Sequence, residues 1–228
     1  MYDQQKVGVI IAAAGSSRRM GEVNKLFALL GGKPFLLRAI HPFQRCRLVD
    51  QIVVVVSKEN RERCRRLMSG EKWSKVTDIC AGGERRQDSV ATGIKRLDRC
   101  GWVIIHDGAR PLVSVDLIEL GLREAKETGA AIAAVPVTDT IKLVGNDRIV
   151  TQTLSRHNLW AVQTPQVFRF DIITEAYHQT KGDVTDDASL VEPLGYKVKL
   201  YMGSDDNIKI TTPEDMALAG SLWQRHEQ

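Results

Sequence analysis

The sequence predicts an α/β fold, a doubly wound and mostly parallel β-sheet with helices on both faces. Two observations carry this prediction. Short apolar runs rich in β-branched residues alternate with segments of helical periodicity, and several of these runs end at glycine, aspartate or proline. A length of 228 residues also suffices for one domain with a full hydrophobic core. We therefore expect residues 1–228 to form a single domain.

The first half of the chain supplies the strands that define this sheet. Val7–Ala13 is apolar throughout, as expected for a strand buried on both faces, and Ile52–Val56 is an unbroken row of β-branched residues. Further strands are expected at Val76–Cys80 and Trp102–His106. Apolar residues at helical spacing predict helices between the strands, at Pro34–Arg45, Arg61–Met68 and Asp88–Leu97.

The second half continues this alternation and then departs from it. A helix at Leu117–Glu127 precedes a strand at Ala130–Val135. Residues 138–163 lack helical periodicity, and two extended pieces, Thr140–Val144 and Ile149–Leu154, flank turn residues, which predicts an inserted β-hairpin arm. Because an isolated hairpin is marginally stable in water, the arm is expected to pack on a second copy of the chain or, alternatively, on its own domain. The remaining expected elements are helices at Asp171–Gln179 and Asp186–Leu194, a strand at Lys197–Met202 and a final helix from Pro213.

The composition is that of an ordinary globular protein. Apolar residues make up 43% and charged residues 26% of the chain, and the net charge is +4. The basic residues are spread along the chain, so we expect no nucleic-acid partner. The N-terminal apolar run is too short to span a bilayer, and the four cysteines form no Cys-x-x-Cys pair. We therefore expect no membrane partner, free thiols and a cytoplasmic location.

The segment after the first strand combines small and basic residues. It reads Ala13-Ala14-Gly15-Ser16-Ser17-Arg18-Arg19-Met20-Gly21, followed by Asn24-Lys25. Ligands of open α/β sheets bind beyond the carboxyl ends of the strands, where small residues let backbone N–H groups approach phosphate oxygens. Arg19 and Lys25 add full positive charges. The segment lacks the Gly-Lys-Ser/Thr of a Walker P-loop and the middle glycine of a dinucleotide fingerprint, so neither motif explains it.

Two further loops follow strands of the same predicted sheet. The segment Gly82–Ser89 is either a flexible turn before an N-capped helix or a loop that brings Ser89 to a nucleotide. Asp107-Gly108-Ala109-Arg110-Pro111 follows the strand that ends at His106. Asp107 is either a turn residue that bonds its own backbone or a carboxylate that helps to hold Mg²⁺ beside a polyphosphate. Arg110 adds another cation able to bind phosphate.

Polar residues late in the chain form a candidate second anion site. Arg156 and Lys209 are cations, and Thr164 and Thr185 carry hydroxyl groups. Each also has a structural alternative, a surface charge or, for Thr185, the N-cap of a helix. Only their combination with the first loop indicates a second substrate.

Seven blocks, in order over nearly the whole chain, carry a resemblance to a known family. They are Ala13-Ala14-Gly15 with Arg19, Met20 and Lys25, then Gly82-Gly83 with Arg86 and Asp88-Ser89-Val90, His106-Asp107-Gly108-Ala109-Arg110-Pro111, Thr138-Asp139-Thr140-Ile141-Lys142, Leu159-Trp160 with Gln163-Thr164-Pro165-Gln166, Thr185-Asp186-Asp187-Ala188, and Asp206-Asn207-Ile208-Lys209-Ile210-Thr211. In these blocks the chain resembles the 2-C-methyl-D-erythritol 4-phosphate cytidylyltransferases of the non-mevalonate isoprenoid pathway.

The resemblance implies a Rossmann-like nucleotidyltransferase sheet with an inserted dimerisation arm at residues 138–163. It implies an enzyme that joins CTP and 2-C-methyl-D-erythritol 4-phosphate into 4-diphosphocytidyl-2-C-methyl-D-erythritol, releasing pyrophosphate, with Mg²⁺ as cofactor. The enzyme would be a homodimer in which the arm reaches into the neighbouring subunit.

The resemblance also assigns expected roles to residues of this chain. The catalytic residues are Arg19, Lys25, Arg156 and Lys209. The nucleotide-binding residues are Ala13, Ala14, Gly15, Ser16, Ser17, Gly83, Asp88, Ser89 and Ala109. The substrate-binding residues are Asp107, Arg110, Thr140, Arg156, Thr164, Thr185 and Lys209, and Asp107 is also the expected metal ligand. Ser17 stands where the family commonly has glycine.

Two other functions compete with this one. A cytidylyltransferase for another polyol phosphate, such as ribitol 5-phosphate, shares the fold and the first loop, so only the second anion site discriminates. A nucleotide sensor without turnover uses the same sheet, and the presence of both Lys25 and Asp107 argues against it.

Overall fold

A computed structural model of the chain describes residues 1–15, 25–179 and 182–227. In chain order its strands are β1 (Lys6–Ala13), β2 (Leu29–Leu30), β3 (Lys33–Pro34), β4 (Gln51–Val56), β5 (Val76–Ala81), β6 (Cys100–Asp107), β7 (Ala130–Pro136), β8 (Lys142–Val144), β9 (Val150–Thr153), β10 (Trp160–Arg169) and β11 (Lys199–Met202). Its helices are α1 (Phe35–Arg45), α2 (Arg61–Met68), α3 (Arg86–Ile94), α4 (Val115–Thr128), α5 (Phe170–Gln179), α6 (Ala188–Val191) and α7 (Pro213–Glu227). Short 3₁₀ turns lie at Lys25–Phe27, Arg156–Asn158 and Glu192–Leu194.

Within the described residues, seven strands form a central sheet in the order β11-β7-β10-β6-β1-β4-β5. Neighbouring strands are parallel except where β10 pairs, antiparallel, with β6 and β7. From β1 the chain moves outward to β4 and β5 and then returns to β6 on the other side of β1. This reversal is a topological switch point, where open α/β sheets bind ligands. The predicted doubly wound, mostly parallel and Rossmann-like sheet is confirmed.

Two apolar layers cover the sheet, because its central strands are buried on both faces. On one face, α1, α2 and α4 pack on β1 and β4 through residues such as Leu36, Phe43 and Leu122. On the other face, α3, α5 and α6 bury Val90 and Ile173 against the same sheet. Burial of one such side chain contributes about 1.5–3 kcal/mol, so the layers fix the strands whose carboxyl ends carry the candidate site.

The strand β10 was not expected from the sequence. Its middle carries Gln163, Thr164, Pro165 and Gln166, a polar run with the composition of a loop. These side chains are nevertheless buried, because each polar one finds hydrogen-bond partners inside the protein. The strand takes up residues 160–163, the end of the expected arm. The helix expected at Asp186–Leu194 is also shorter, an α-helix at Ala188–Val191 continued by the 3₁₀ turn Glu192–Leu194.

The predicted hairpin is present. Strands β8 and β9 pair antiparallel, and the turn between them is held by the backbone N–H of Ile149, which donates to the Asp147 carboxylate over 3.1 Å. The hairpin exposes apolar side chains: Leu143, Val144, Ile149 and Val150 are between 47% and 65% exposed. Among the described helices, none is long and apolar enough to cross a membrane.

Candidate active site

Three loops meet beyond the carboxyl ends of β1, β5 and β6. A Cβ atom at Gly82 would lie 2.6 Å from the Ala14 Cβ, and one at Gly108 would lie 2.8 Å from the Ala13 Cβ. The absence of side chains at these two glycines is therefore what allows the loops after β5 and β6 to touch the end of β1. The contact gathers residues far apart in the sequence into one surface.

The first cleft opens over this contact and has a volume of about 220 Å³. It is lined by Ala12, Ala13, Ala14, Gly15, Leu26, Gly83, Glu84, Arg85, Arg86, Ser89, Asp107, Ala109, Lys209 and Thr211. The cleft thus brings together most of the expected nucleotide-binding residues. Ser16, Ser17 and Arg19 lie outside the described residues, as does the side chain of Lys25.

The loop after β5 is held in shape by its own side chains. The Gly83 N–H donates to the Ser89 hydroxyl over 3.2 Å, and that hydroxyl donates to the Arg85 carbonyl over 3.1 Å. Asp88 accepts from the Arg85 backbone and pairs with the Arg85 guanidinium over 2.8 Å, and it does not line the cleft. Its expected contact with the nucleotide stays a prediction, while its contacts in the structure close the first turn of α3.

The second cleft adjoins the first and has a volume of about 330 Å³. It is lined by Arg86, Asp107, Arg110, Ile132, Val162, Gln163, Thr164, Gln166, Thr185, Asp186, Ser189, Glu192 and Lys209. Five of the expected substrate-binding residues are among them, namely Asp107, Arg110, Thr164, Thr185 and Lys209. Thr140 and Arg156 do not line either cleft, since both lie near the hairpin, where Arg156 donates to the Thr138 carbonyl over 2.5 Å.

Arg86, Asp107 and Lys209 line both clefts and form the wall between them. The Asp107 carboxylate accepts from Arg86 Nε over 3.0 Å and from Lys209 Nζ over 2.7 Å. Burial alone raises the pKa of Asp107, but the charges of Arg86 and Lys209 outweigh it and hold the pKa well below its usual range. Asp107 is therefore an anion between two cations.

Arg86 is held from behind by a second carboxylate. Its guanidinium donates to Asp187 over 2.7 Å, and Asp187 is fully buried. The Tyr177 hydroxyl donates to the other Asp187 oxygen over 2.6 Å. Burial and the nearby Asp187 raise the pKa of Tyr177, which keeps the phenol a donor. Arg86 is thus fixed between Asp107 in the clefts and Asp187 in the interior.

A second buried network positions the cations of the second cleft. Arg110 donates to the Asn207 carbonyl over 2.5 Å, and the Asn207 amide donates to the Thr164 carbonyl over 2.8 Å and to Gln163 over 3.1 Å. This ties the loop that carries Lys209 to strand β10. A further hydrogen bond joins this loop to the loop after β6, because the backbone N–H of Ile210 donates to the Ala109 carbonyl over 2.8 Å.

Mg²⁺ places modest demands on this site. Among the described residues there is no group of three or more His, Cys, Asp or Glu side chains suited to a metal. Mg²⁺ commonly takes one or two carboxylates and fills its shell with water and substrate phosphates. Asp107, a buried carboxylate kept ionised in the first cleft, fits that single protein ligand.

Four residues contribute to the site without having been predicted from the sequence, namely Arg86, Asp187, Tyr177 and Gln166. Gln166 accepts from the backbone N–H groups of Asp187 and Ala188 and donates to Asp186 over 2.8 Å, so it anchors the loop that bears Thr185. Two signals in the sequence pointed to these residues, the Arg86 that follows the glycine pair and the double aspartate after Thr185. Neither signal indicates with which residues Arg86 and the two aspartates pair.

A Rossmann-like sheet with one cleft at its switch point, and a second cleft beside it that carries cations, is the arrangement expected of a nucleotidyltransferase. Comparison with known proteins agrees with this class. The family model described as 2-C-methyl-D-erythritol 4-phosphate cytidylyltransferase matches residues 7–225. The chain belongs to this family.

Curated relatives and solved structures bear the same name or a synonym of it. The chain is 49% identical to a 2-C-methyl-D-erythritol 4-phosphate cytidylyltransferase of Dehalococcoides mccartyi over 99% of both proteins. It is 45% identical to one of Alkaliphilus oremlandii, over 100% of this chain and 99% of that protein. A crystal structure of 4-diphosphocytidyl-2C-methyl-D-erythritol synthase from Anaerococcus prevotii is 30% identical, with a TM-score of 0.86 over 97% of this chain and 99% of the other.

Proposed function

We propose that this chain joins CTP and 2-C-methyl-D-erythritol 4-phosphate to give 4-diphosphocytidyl-2-C-methyl-D-erythritol and pyrophosphate. The observation that carries the proposal is the wall of Arg86, Asp107 and Lys209 shared by the two clefts. A reaction between two bound phosphates requires two sites that meet at the reacting atoms, with cations where they meet. The family of the chain names the substrates that suit this arrangement.

In this proposal the first cleft binds CTP. Ala13, Ala14 and Gly15, with Ser16 and Ser17, wrap the triphosphate, and Gly83, Ser89 and Ala109 contact the nucleoside. Asp88 closes the turn beneath them. The second cleft binds the acceptor, and Lys209, Arg110, Thr164 and Thr185 hold its sugar phosphate.

The chemical step is an in-line displacement. An oxygen of the acceptor phosphate forms a bond to the α-phosphorus of CTP, and the bond from that phosphorus to the bridging oxygen of pyrophosphate breaks. The protein aligns the two anions and neutralises their charge, so no covalent intermediate is required. Arg19 and Lys25 stabilise the α-phosphate, and Lys209 and Arg156 hold the attacking phosphate.

Mg²⁺ belongs to this proposal as a cofactor. Asp107 would be its protein ligand, and the remaining positions would go to phosphate oxygens and water. A bound Mg²⁺ supplies positive charge to the triphosphate. Arg86 and Lys209 hold the pKa of Asp107 well below its usual range, so the carboxylate would bind the ion without losing a proton.

The homodimer is also part of the proposal. The hairpin exposes four apolar side chains, and a second copy of the chain is a surface that would cover them. Thr140 and Arg156 lie beside this hairpin and away from both clefts of their own chain. We infer that the arm delivers these two residues to the acceptor site of the neighbouring subunit.

We further propose that the enzyme works in the cytoplasm. Cys46, Cys64, Cys80 and Cys100 are all buried free thiols. Burial raises the pKa of Cys64 and Cys100 to about 11, so both stay protonated and unreactive. Free thiols of this kind are typical of proteins in a reducing compartment.

The decisive experiment measures pyrophosphate release by the purified full chain with Mg²⁺. CTP is offered with 2-C-methyl-D-erythritol 4-phosphate or ribitol 5-phosphate, and ATP, GTP and UTP replace CTP in parallel. Release with CTP and the methylerythritol phosphate supports the proposal. Release with the ribitol phosphate alone favours the other polyol cytidylyltransferase, and binding of CTP without release under any condition favours a nucleotide sensor.

The replacement Lys25→Ala tests the role of the first loop. We expect kcat to fall roughly 100- to 1000-fold, by comparison with loss of one preorganised donor at a transition state. Lys33→Ala is the matched control, because Lys33 pairs with Glu71 on the surface outside the clefts. A near-normal kcat in Lys25→Ala would show that this lysine has no part in the chemical step.

A further inference from the structure

Two buried hydrogen bonds join His106 to residues that line the second cleft, and a third joins Thr164 to Asp107. His106 is fully buried and its ring packs on Phe43, with the ring centroids 5.0 Å apart. Its Nε2 lies 3.0 Å from the Arg110 carbonyl oxygen, and its Nδ1 lies 3.0 Å from the Thr164 hydroxyl. That hydroxyl also accepts from the backbone N–H of Asp107 over 3.1 Å.

The hydrogen-bond partners of His106 determine which atoms of this network carry a hydrogen. A carbonyl oxygen only accepts, so His106 Nε2 carries a hydrogen. In a neutral ring the other nitrogen then has only a lone pair, and it must accept from the Thr164 hydroxyl. The neutral ring is the form that suits a fully buried site packed against the Phe43 ring.

The Thr164 hydroxyl oxygen consequently has one lone pair without a partner among the residues that the structure describes. Its hydrogen points to His106, and one lone pair is taken by the Asp107 N–H. The remaining lone pair is what the hydroxyl can offer to a ligand in the second cleft, which Thr164 lines. A phosphate dianion has only acceptor oxygens and cannot use that lone pair, whereas an alcohol O–H can.

We propose that Thr164 is a specificity-determining residue that accepts a hydrogen bond from a hydroxyl group of the acceptor polyol, and that His106 is the positioning residue that holds the Thr164 hydroxyl in that orientation. This inference rests on the proposed function and deepens it. It changes the role expected for Thr164, from a donor to the sugar phosphate to a reader of the polyol. Arg86, Arg110 and Lys209, which line the same cleft, supply donors for the phosphate.

The test pairs substrate analogues with variants. The acceptor and each of its mono-deoxy analogues are turned over by wild type, Thr164→Ser, which keeps the hydroxyl, and Thr164→Val, which removes it without changing the shape. We expect one analogue to lose roughly 10- to 100-fold in kcat/KM with wild type and Thr164→Ser, since the protein acceptor loses its donor. With Thr164→Val the parent and that analogue should react equally well.

Two His106 variants separate positioning from structural support. In His106→Asn the amide oxygen stands near the place of Nδ1 and keeps the acceptor, so discrimination against the deoxy analogue should persist. In His106→Leu the Thr164 hydroxyl is free to turn, and the discrimination should vanish. Circular dichroism and thermal unfolding show whether each variant folds. If His106→Leu does not fold, the comparison of Thr164→Ser with Thr164→Val tests the role of Thr164 by itself.

The outcomes are distinguishable. If Thr164→Val lowers kcat/KM by the same factor for the parent and every analogue, Thr164 does not read a hydroxyl and the inference is overturned. If discrimination survives in a folded His106→Leu, the positioning role of His106 is overturned. If wild type turns over no acceptor at all, the proposed function fails and the inference fails with it.

Discussion

The Asp107 carboxylate is the residue on which the charge of the site depends. It is buried, a position that by itself favours the neutral acid, yet Arg86 and Lys209 reverse that preference. Before substrates bind, Asp107 neutralises much of the charge that will later face phosphates. A phosphate that binds at Lys209 therefore competes with Asp107, while Arg86 keeps its place because Asp187 holds it independently.

The replacement Asp187→Asn tests whether Asp187 holds Arg86 in place. It leaves Arg86 with one carboxylate partner, and we expect the free energy of unfolding to fall by about 2–3 kcal/mol, less than for a fully broken buried pair. Urea unfolding measures the change. Asp183→Asn removes the exposed partner of Arg85 and should leave stability unchanged. Equal stabilities for the two variants would contradict a supporting role for Asp187.

His106 predicts a specific dependence of stability on pH. Its pKa is about 4 in the folded protein and 6.5 in a model peptide, so the unfolded chain binds the extra proton first as the pH falls. The stability associated with the neutral ring is thus present above pH 6.5 and is lost between pH 6.5 and about 4. The loss relative to His106→Asn should approach about 3 kcal/mol. Denaturant unfolding of both proteins from pH 7 to 4.5 measures it, and a constant difference in stability would contradict the assignment.

At the scale of elements, the parallel strands were predictable and β10 was not. β1 and β4 are apolar on both faces, so composition alone identifies them. β10 carries its polar residues inward, where Gln163 and Gln166 bond to loops and Thr164 bonds to His106 of strand β6. A pattern of local hydrophobicity cannot indicate a strand whose burial depends on distant partners.

The hairpin of β8 and β9 is the element on which the proposed dimer depends. Ile149→Asp places a charge among its exposed apolar side chains, and we expect the protein to become mainly monomeric because burying an unpaired charge in an interface is costly. Light scattering after size exclusion measures the mass, and kcat/KM should fall with it if Arg156 acts across the dimer. Leu218→Asp makes the same change at an exposed leucine of α7 and should leave the mass unaltered. A dimeric Ile149→Asp variant would place the interface elsewhere.

For the molecule as a whole, the sequence indicates which loops carry the site but not how they connect. Glycines after the strands and cations at fixed offsets predict a phosphate cleft. The lining of the first cleft brings Gly15 and Gly83 together, whereas the contribution of Arg19 and Lys25 stays a prediction. The pair Arg86–Asp187 joins positions 101 residues apart, and no local pattern records it. The charge arrangement of the shared wall is thus a property of the folded chain, established only when the loops meet.

Because the first cleft is built from loops after three strands of one sheet, a ligand there should stabilise the whole fold rather than one segment. At a CTP concentration 100 times its Kd, binding to the folded state alone adds about 2.7 kcal/mol. For a chain of this length that corresponds to a rise in Tm of roughly 5–10 °C. Differential scanning fluorimetry with CTP and Mg²⁺ measures the rise, and ATP at the same concentration should give a smaller one if Gly83 and Ser89 read the base. An equal rise with ATP would mean that the cleft binds the triphosphate alone, and no rise with CTP would place the nucleotide elsewhere.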